Sequence, residues 1–175
     1  MHRKILFIGP MGAGKTSLGK RLALHLKWPF FDTDQQICQD TGSDIPTIFK
    51  TEGEAGFRAR EHEALARVLA RPGNAIVSCG GGIVLLPENR RLLCAQYLVI
   101  FLDVSVAKQI ERVGSDPDRP LMQSARLEDK LNQLREERLA FYEGLADLRL
   151  ETDDDRFNYL FSQLTVLVED WMQNN

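Results

Sequence analysis

Gly9-Pro10-Met11-Gly12-Ala13-Gly14-Lys15-Thr16 satisfies G-x-x-x-x-G-K-[ST] at every position, between a short apolar run and a helical pattern. That combination is a phosphate cradle. Its glycines let backbone N–H groups converge on phosphate oxygens, the positive end of the following helix adds potential, and Lys15 places a point charge on the terminal phosphates. Thr16 offers its hydroxyl to Mg²⁺. Gly12, Ala13, Gly14, Lys15, Thr16 and Ser17 are thus the expected ATP-binding residues, and eight matched positions argue against a mere connecting turn. The loop alone does not choose among kinases, GTPases and motors. No D-x-x-G or N-K-x-D guanine-reading element occurs, and a chain of 175 residues is short for a motor, so a small-molecule kinase is favoured.

Asp32-Thr33-Asp34 follows a second β-rich run, and in a doubly wound sheet the carboxyl ends of strands line the ligand crevice. A kinase needs one acid near Mg²⁺ and another for the proton of the attacking hydroxyl. Asp32 suits the metal and Asp34 the hydroxyl, unless one of them simply caps the helix beginning near Gln35. Gly80-Gly81-Gly82 follows a third run and would let backbone approach a ligand, although a tight turn explains three glycines nearly as well. Arg58 and Arg138 fall in helical patterns; a pair of guanidinium groups grips a carboxylate bidentately, whereas either alone reads as a solvated helix residue.

The elements that must position these groups alternate from end to end, as in an α/β sandwich with a parallel sheet. Five strands are expected, over Lys4 to Ile8, Pro29 to Asp32, Ala75 to Cys79, Tyr97 to Leu102 and Leu148 to Glu151. Helices are marked by Leu18, Leu22 and Leu26, by Leu127, Leu131 and Leu134, and by Leu160, Leu164, Leu167 and Trp171. Arg135, Arg138 and Tyr142 share one face, which would look into the cleft. Gly114 to Met122 is rich in breakers and reads as a mobile loop. The run Val99 to Asp103 is tempting as a metal-binding strand end, but Asp103 is read as a capping or turn residue, and His25 and His62 as plain helix residues.

Composition agrees with one soluble, globular domain over residues 1–175: 43% hydrophobic, 27% charged, net charge −3. A nucleic-acid partner would need clustered excess Lys and Arg. Cys38, Cys79 and Cys94 have no disulfide or zinc spacing, the opening apolar run is too short for a signal core, and no membrane-length run occurs. A cytoplasmic location is expected.

Taken in order, the P-loop, Asp32-Thr33-Asp34, Gly53-Glu54-x-x-Phe57-Arg58-x-x-Glu61, Gly80-Gly81-Gly82, and Arg119-Pro120-Leu121 with Arg138-x-x-x-Tyr142 resemble the shikimate kinases over essentially the whole chain. The resemblance implies a nucleoside monophosphate kinase-like P-loop fold with strand order 2-3-1-4-5, a lid over ATP near residues 112–124, and a shikimate-binding region near 33–60. It implies that Asp34, Arg58, Arg138 and the Gly80–Gly82 backbone hold shikimate, Asp34 acting on the 3-hydroxyl. Lys15 and Arg119 would neutralise charge during γ-phosphoryl transfer, Thr16 and, through water, Asp32 would hold Mg²⁺, and Arg112 would flank adenine. A monomer is implied as well. In the family the metal-strand position resembles Ile76 to Gly80. Two departures are Met122, where a second leucine is common, and the acidic run Asp153-Asp154-Asp155. A gluconate-type sugar-acid kinase resembles these segments less well, and a non-catalytic nucleotide-sensing module is the alternative outside enzymes.

Overall fold

The computed structural model describes residues 3–95, 97–114 and 124–174. In chain order the elements are β1 (Lys4–Ile8), α1 (Lys15–Leu26), β2 (Phe30–Asp32), α2 (Thr33–Thr41), α3 (Ile45–Ala70), β3 (Ala75–Ser78), α4 (Pro87–Leu93), β4 (Leu98–Asp103), α5 (Val106–Gly114), α6 (Ser124–Leu145), β5 (Leu148–Glu151) and α7 (Phe157–Asn174). All five expected strands form, each within one residue of its expected bounds. The sheet is parallel throughout, in the order β2-β3-β1-β4-β5. The mobile loop and Arg119 expected between α5 and α6 lie outside the described residues.

Near-continuous apolar runs form these strands because both faces of a parallel sheet are covered by helices. Alternation then assigns each side chain to a face. Ile5, Phe7, Ile76, Ile100 and Leu102 pack with Leu18 and Leu22 of α1 and Leu160, Leu164 and Val168 of α7. Leu6, Ile8, Val77, Val99 and Phe101 pack with Leu65 and Val68 of α3 and Tyr142 of α6. Ile37, Ile48, Phe57 and Ala64 form a smaller cluster joining α2 to α3. The central strands β1 and β4 are buried along their whole length, so their carboxyl ends are fixed in position.

Local signals set where the helices begin. Asp44 caps α3 by accepting from Thr47 N–H at 2.8 Å, with Pro46 in the first turn. Inside α3, Gly53 takes φ 70°, ψ −177° and breaks the helix into two arms. The first arm carries Ile45 and Phe49 and the second Phe57, Arg58 and Glu61. α1 starts differently, because its N-cap is Gly14 at φ 91° with no side-chain cap. Its first N–H groups are left for an outside acceptor.

Gly9, where β1 turns into the loop, has φ 140°, and a Cβ there would stand 2.3 Å from the Leu102 carbonyl oxygen on the neighbouring strand. Backbone on β4 cannot yield without breaking its pairing with β1. Gly9→Ala is expected to destabilise the fold by about 1–3 kcal/mol from backbone strain alone. A denaturant midpoint equal to that of the unmodified protein would refute this account of Gly9.

Candidate functional site

The phosphate cradle is held open from behind. Gln109 Nε2 of α5 donates to the Met11 carbonyl at 2.7 Å, and Arg112 Nη1 donates to the Gly12 carbonyl at 2.7 Å. In a trans peptide C=O and N–H point opposite ways, so carbonyls drawn back to α5 turn the following N–H groups forward. Lys15 Nζ donates to the Gly9 and Pro10 carbonyls at 2.8 and 2.7 Å, and burial lowers its pKa to about 8. The ammonium is therefore held in a desolvated place where an anionic phosphate stabilises its charge.

Thr16 Oγ1 donates to Asp32 Oδ2 at 2.8 Å and lies 3.3 Å from Ser78 Oγ. Asp32 Oδ1 meanwhile accepts from the N–H groups of Asp34 and Gln35 at 3.0 and 3.2 Å, capping α2. The capping and metal readings of this aspartate are thus compatible, since each uses a different oxygen. Thr16, Asp32 and Ser78 form a small set of hard oxygen donors, and no cluster of three or more His, Cys, Asp or Glu suited to a metal occurs among the described residues. Such a set fits Mg²⁺, which keeps several waters and takes its other oxygens from phosphate.

Across the cradle wall opens a cavity of about 230 Å³ between the sheet edge, α3 and α6. Asp34, Arg58 and Arg138 enter it with the Gly80–Gly82 turn, and Ile45 and Phe49 line its outer side. The buried atoms Asp34 Oδ1, Arg58 Nε and Arg138 Nε have no hydrogen-bond partner. Such groups are costly to leave unpaired. The three residues line one cavity, which marks it as built for a ligand carrying both an acceptor and a donor. Burial, then the neighbouring Asp32, raises the Asp34 pKa, which makes its carboxylate a better proton acceptor.

The glycine turn is explained by crowding. None of Gly80, Gly81 and Gly82 has positive φ, so turn conformation does not demand them. A Cβ at Gly80 would stand 2.6 Å from Asp34 Oδ1, and one at Gly82 2.1 Å from Arg58 Nη1. At Gly81 it would stand 3.5 Å from Arg138 Nη1. Gly80 and Gly82 make room for groups that enter the cavity, whereas a Cβ at Gly81 would meet Arg138 at an ordinary contact distance. Asp34, Gly80 and Gly81 also line the phosphate cavity, so Asp34 stands at the junction of the two.

Arg135 lines the same cavity as Arg138 and Tyr142, as its spacing suggests, but its tip is anchored to neighbouring groups. Its Nη1 is tied to Asp103 Oδ1 at 2.8 Å and to the Val104 carbonyl at 3.1 Å. Asp103 holds Arg135 and Arg149 and caps no helix; Ser105 Oγ, instead, accepts from Lys108 N–H at the start of α5. Asp103 is thus an ion-pair centre, not a metal ligand. His62 and His25 sit on helices, His62 beside Asn89 and His25 beside Glu169. Sequence reasoning assigned no role to Glu61, Gln109, Ser78 and Thr33. Glu61, 1% exposed, holds Arg58 Nη1 at 2.8 Å, and its i, i+3 spacing from Arg58 was a usable signal. Gln109, Ser78 and Thr33 carry no such signal, because their partners are remote in sequence.

On the far side of the cradle, a third cavity is lined by Gly12, Ser17, Arg112, Thr152 and Phe157. Arg112 spans it, donating to the carbonyls of Gly12 and Thr152 at 2.7 and 2.5 Å. A family model described as shikimate kinase matches residues 11–168. The chain belongs to the shikimate kinase family. A shikimate kinase of Stenotrophomonas maltophilia is 46% identical over 172 residues, covering 98% of this chain and 95% of that protein. The solved shikimate kinase from Acinetobacter baumannii in complex with shikimate superposes with TM-score 0.87 at 35% identity, covering 97% of this chain and 94% of that one. A gluconokinase from Sinorhizobium meliloti, at TM-score 0.63 and 20% identity over 99% and 97% of the two chains, shares the fold alone. The expected family and the expected P-loop α/β fold with order 2-3-1-4-5 are borne out, and the family's kinases use ATP as co-substrate. Among the described residues no helix is long and apolar enough to cross a membrane.

The Lys15 environment predicts a pH dependence. Its pKa in the free cradle is lowered to about 8, so the ammonium is present below that pH and lost above it. Bound phosphates favour the charged form, so the loss belongs to the free enzyme. kcat/KM for ATP is expected to fall as pH rises through about 8, with a much weaker change in kcat. A kcat/KM profile flat into the ordinary lysine range would contradict the assignment.

Proposed function

We propose that this chain transfers the γ-phosphoryl group of ATP to the 3-hydroxyl of shikimate, giving shikimate 3-phosphate and ADP for aromatic amino-acid synthesis. The observation that carries it is the convergence of Asp34, Arg58 and Arg138 on one cavity. Shikimate has the matching parts, a carboxylate for the two guanidinium groups and ring hydroxyls for the aspartate. That the solved relative holds shikimate supports the same choice of acceptor.

In this reading Arg58 and Arg138 grip the carboxylate, with Glu61 holding Arg58 in place, and the backbone of Gly80, Gly81 and Gly82 borders the ring. This turns the 3-hydroxyl towards Asp34 at the junction with the cradle. Asp34 orients the hydroxyl and accepts its proton as the oxygen forms a bond to the γ-phosphorus. The bond from that phosphorus to the β–γ bridging oxygen breaks, and ADP keeps the electron pair. Lys15 and Arg119 stabilise the charge on the phosphoryl oxygens, while N–H groups of Gly12 to Ser17 hold the rest of the triphosphate. Thr16 directly and Asp32 through water would hold Mg²⁺, which neutralises phosphate charge when bound. The planar Arg112 guanidinium, held in orientation by its two carbonyl partners, presents a face on which adenine stacks.

The whole chain is one kinase domain, with a shikimate-binding region over about 33–60 and a lid over about 112–124 that carries Arg119. It works as a cytoplasmic monomer, without a nucleic-acid or membrane partner. ADP release by the purified protein with shikimate, with gluconate or with no acceptor tests the reading. Turnover with gluconate and none with shikimate would sink it. Asp34→Asn keeps a hydrogen-bonding group but cannot take the proton, so kcat is expected to fall roughly 10²- to 10⁴-fold with ATP binding retained. Near-normal kcat in that variant would remove Asp34 from its role.

A further inference from the structure

The hydroxyl of Tyr142 donates to the Gly81 carbonyl at 2.5 Å. The tyrosine is 2% exposed, and its ring stacks on Phe101 of β4 with centroids 5.1 Å apart. A Cβ built on Gly81 would lie 3.7 Å from the same hydroxyl and 3.5 Å from Arg138 Nη1, which places the phenol and the guanidinium on one side of the turn. Next to it, Gly80 N–H donates to Thr33 Oγ1 at 3.0 Å, and the Gly80 carbonyl accepts from Ile83 N–H at 3.0 Å. The peptide planes on either side of Gly80 are thus held by groups that remain in place without a ligand. The plane between Gly81 and Gly82 is held by Tyr142.

We infer that Tyr142 is a positioning residue for the acceptor: its hydroxyl fixes the direction of the Gly81–Gly82 peptide and thereby the donor that the turn presents. The inference rests on the acceptor reading given above. A peptide between two glycines has no Cβ to resist a flip. With the Gly81 carbonyl drawn to the phenol, the trans geometry sends the Gly82 N–H the opposite way. Among the described residues this N–H has no recorded partner, so it is kept as a donor. A flipped plane would present a carbonyl oxygen instead, which repels an anionic acceptor. No side chain within the turn can set this choice. It falls to α6, which also carries Arg138 one helical turn earlier, so the guanidinium and the peptide plane are set by one rigid element.

Tyr142→Phe keeps the ring on Phe101 and deletes only the hydroxyl, with its bond to the Gly81 carbonyl and its contact with Arg138. KM for shikimate is expected to rise roughly tenfold or more, as for loss of a hydrogen bond to a charged group, with kcat and KM for ATP little changed. Phe101→Leu loosens the same stacking contact without touching the hydroxyl, and is expected to lower the melting temperature while leaving KM for shikimate unchanged. On the unmodified protein, the Gly82 amide resonance is expected to shift on addition of shikimate, a readout that needs no variant to fold. An unchanged KM in Tyr142→Phe, an equal rise in Phe101→Leu, or an unmoved Gly82 resonance would overturn the inference while shikimate turnover stands. Absence of shikimate turnover by the unmodified protein would overturn the proposed activity and this inference together.

Discussion

The arrangement depends on burying polar atoms that the protein does not itself hydrogen-bond. Asp34 and Arg138 each keep an unpaired buried polar atom, and Arg58 spends one edge on Glu61 while its Nε is left unpaired. Unpaired burial of this kind costs on the order of 1–3 kcal/mol per group, more where the group is charged. The fold must supply that stability elsewhere. It does so in a sheet whose β1, β3 and β4 strands are fully buried, flanked by two large apolar clusters. A rigid frame of that kind keeps the cleft from collapsing onto these atoms.

The second organising device is the use of backbone carbonyls as anchors. Met11 and Gly12 are drawn back to α5, Gly81 to α6, and Val84 and Leu85 to Arg90 of α4. In each case a helix outside the loop takes the carbonyl, and the loop keeps its N–H groups for use elsewhere. Lys15 is held the same way in reverse, donating to the Gly9 and Pro10 carbonyls with its charge disfavoured by burial. A polyphosphate entering the cradle offers this ammonium a better partner than two neutral oxygens.

Much of this was legible in the sequence where the signal is local. The strands were readable from apolar runs bounded by turn residues, and the P-loop from eight consecutive positions. Asp34, Arg58 and Arg138 were readable as candidates, but their meeting in one cavity was not, since it depends on α3 and α6 packing over the sheet edge. The Gly53 break in α3 left no trace in the periodicity, because one glycine within a helical pattern reads as a tolerated weakness. Arg135 lines that cavity as its spacing suggests, but the anchor of its tip was not legible. Helical spacing puts it on the face of Arg138, and Asp103, remote in sequence and 5% exposed, pairs with its guanidinium. Spacing gives the direction of a side chain, and burial of an opposite charge decides where its tip rests.

Asp32 shows how closely the two halves of the site are coupled. One carboxylate oxygen fixes the first turn of α2 and so the backbone of Asp34, while the other fixes the Thr16 hydroxyl at the start of α1. A neutral amide at this position could accept with its oxygen but would turn a donor towards either the cap or the hydroxyl. Carrying two acceptor oxygens, the carboxylate serves both without conflict. The Thr16 hydroxyl and the Asp34 backbone are then located by a single group, and the spacing between the phosphate cradle and Asp34 depends on one side chain.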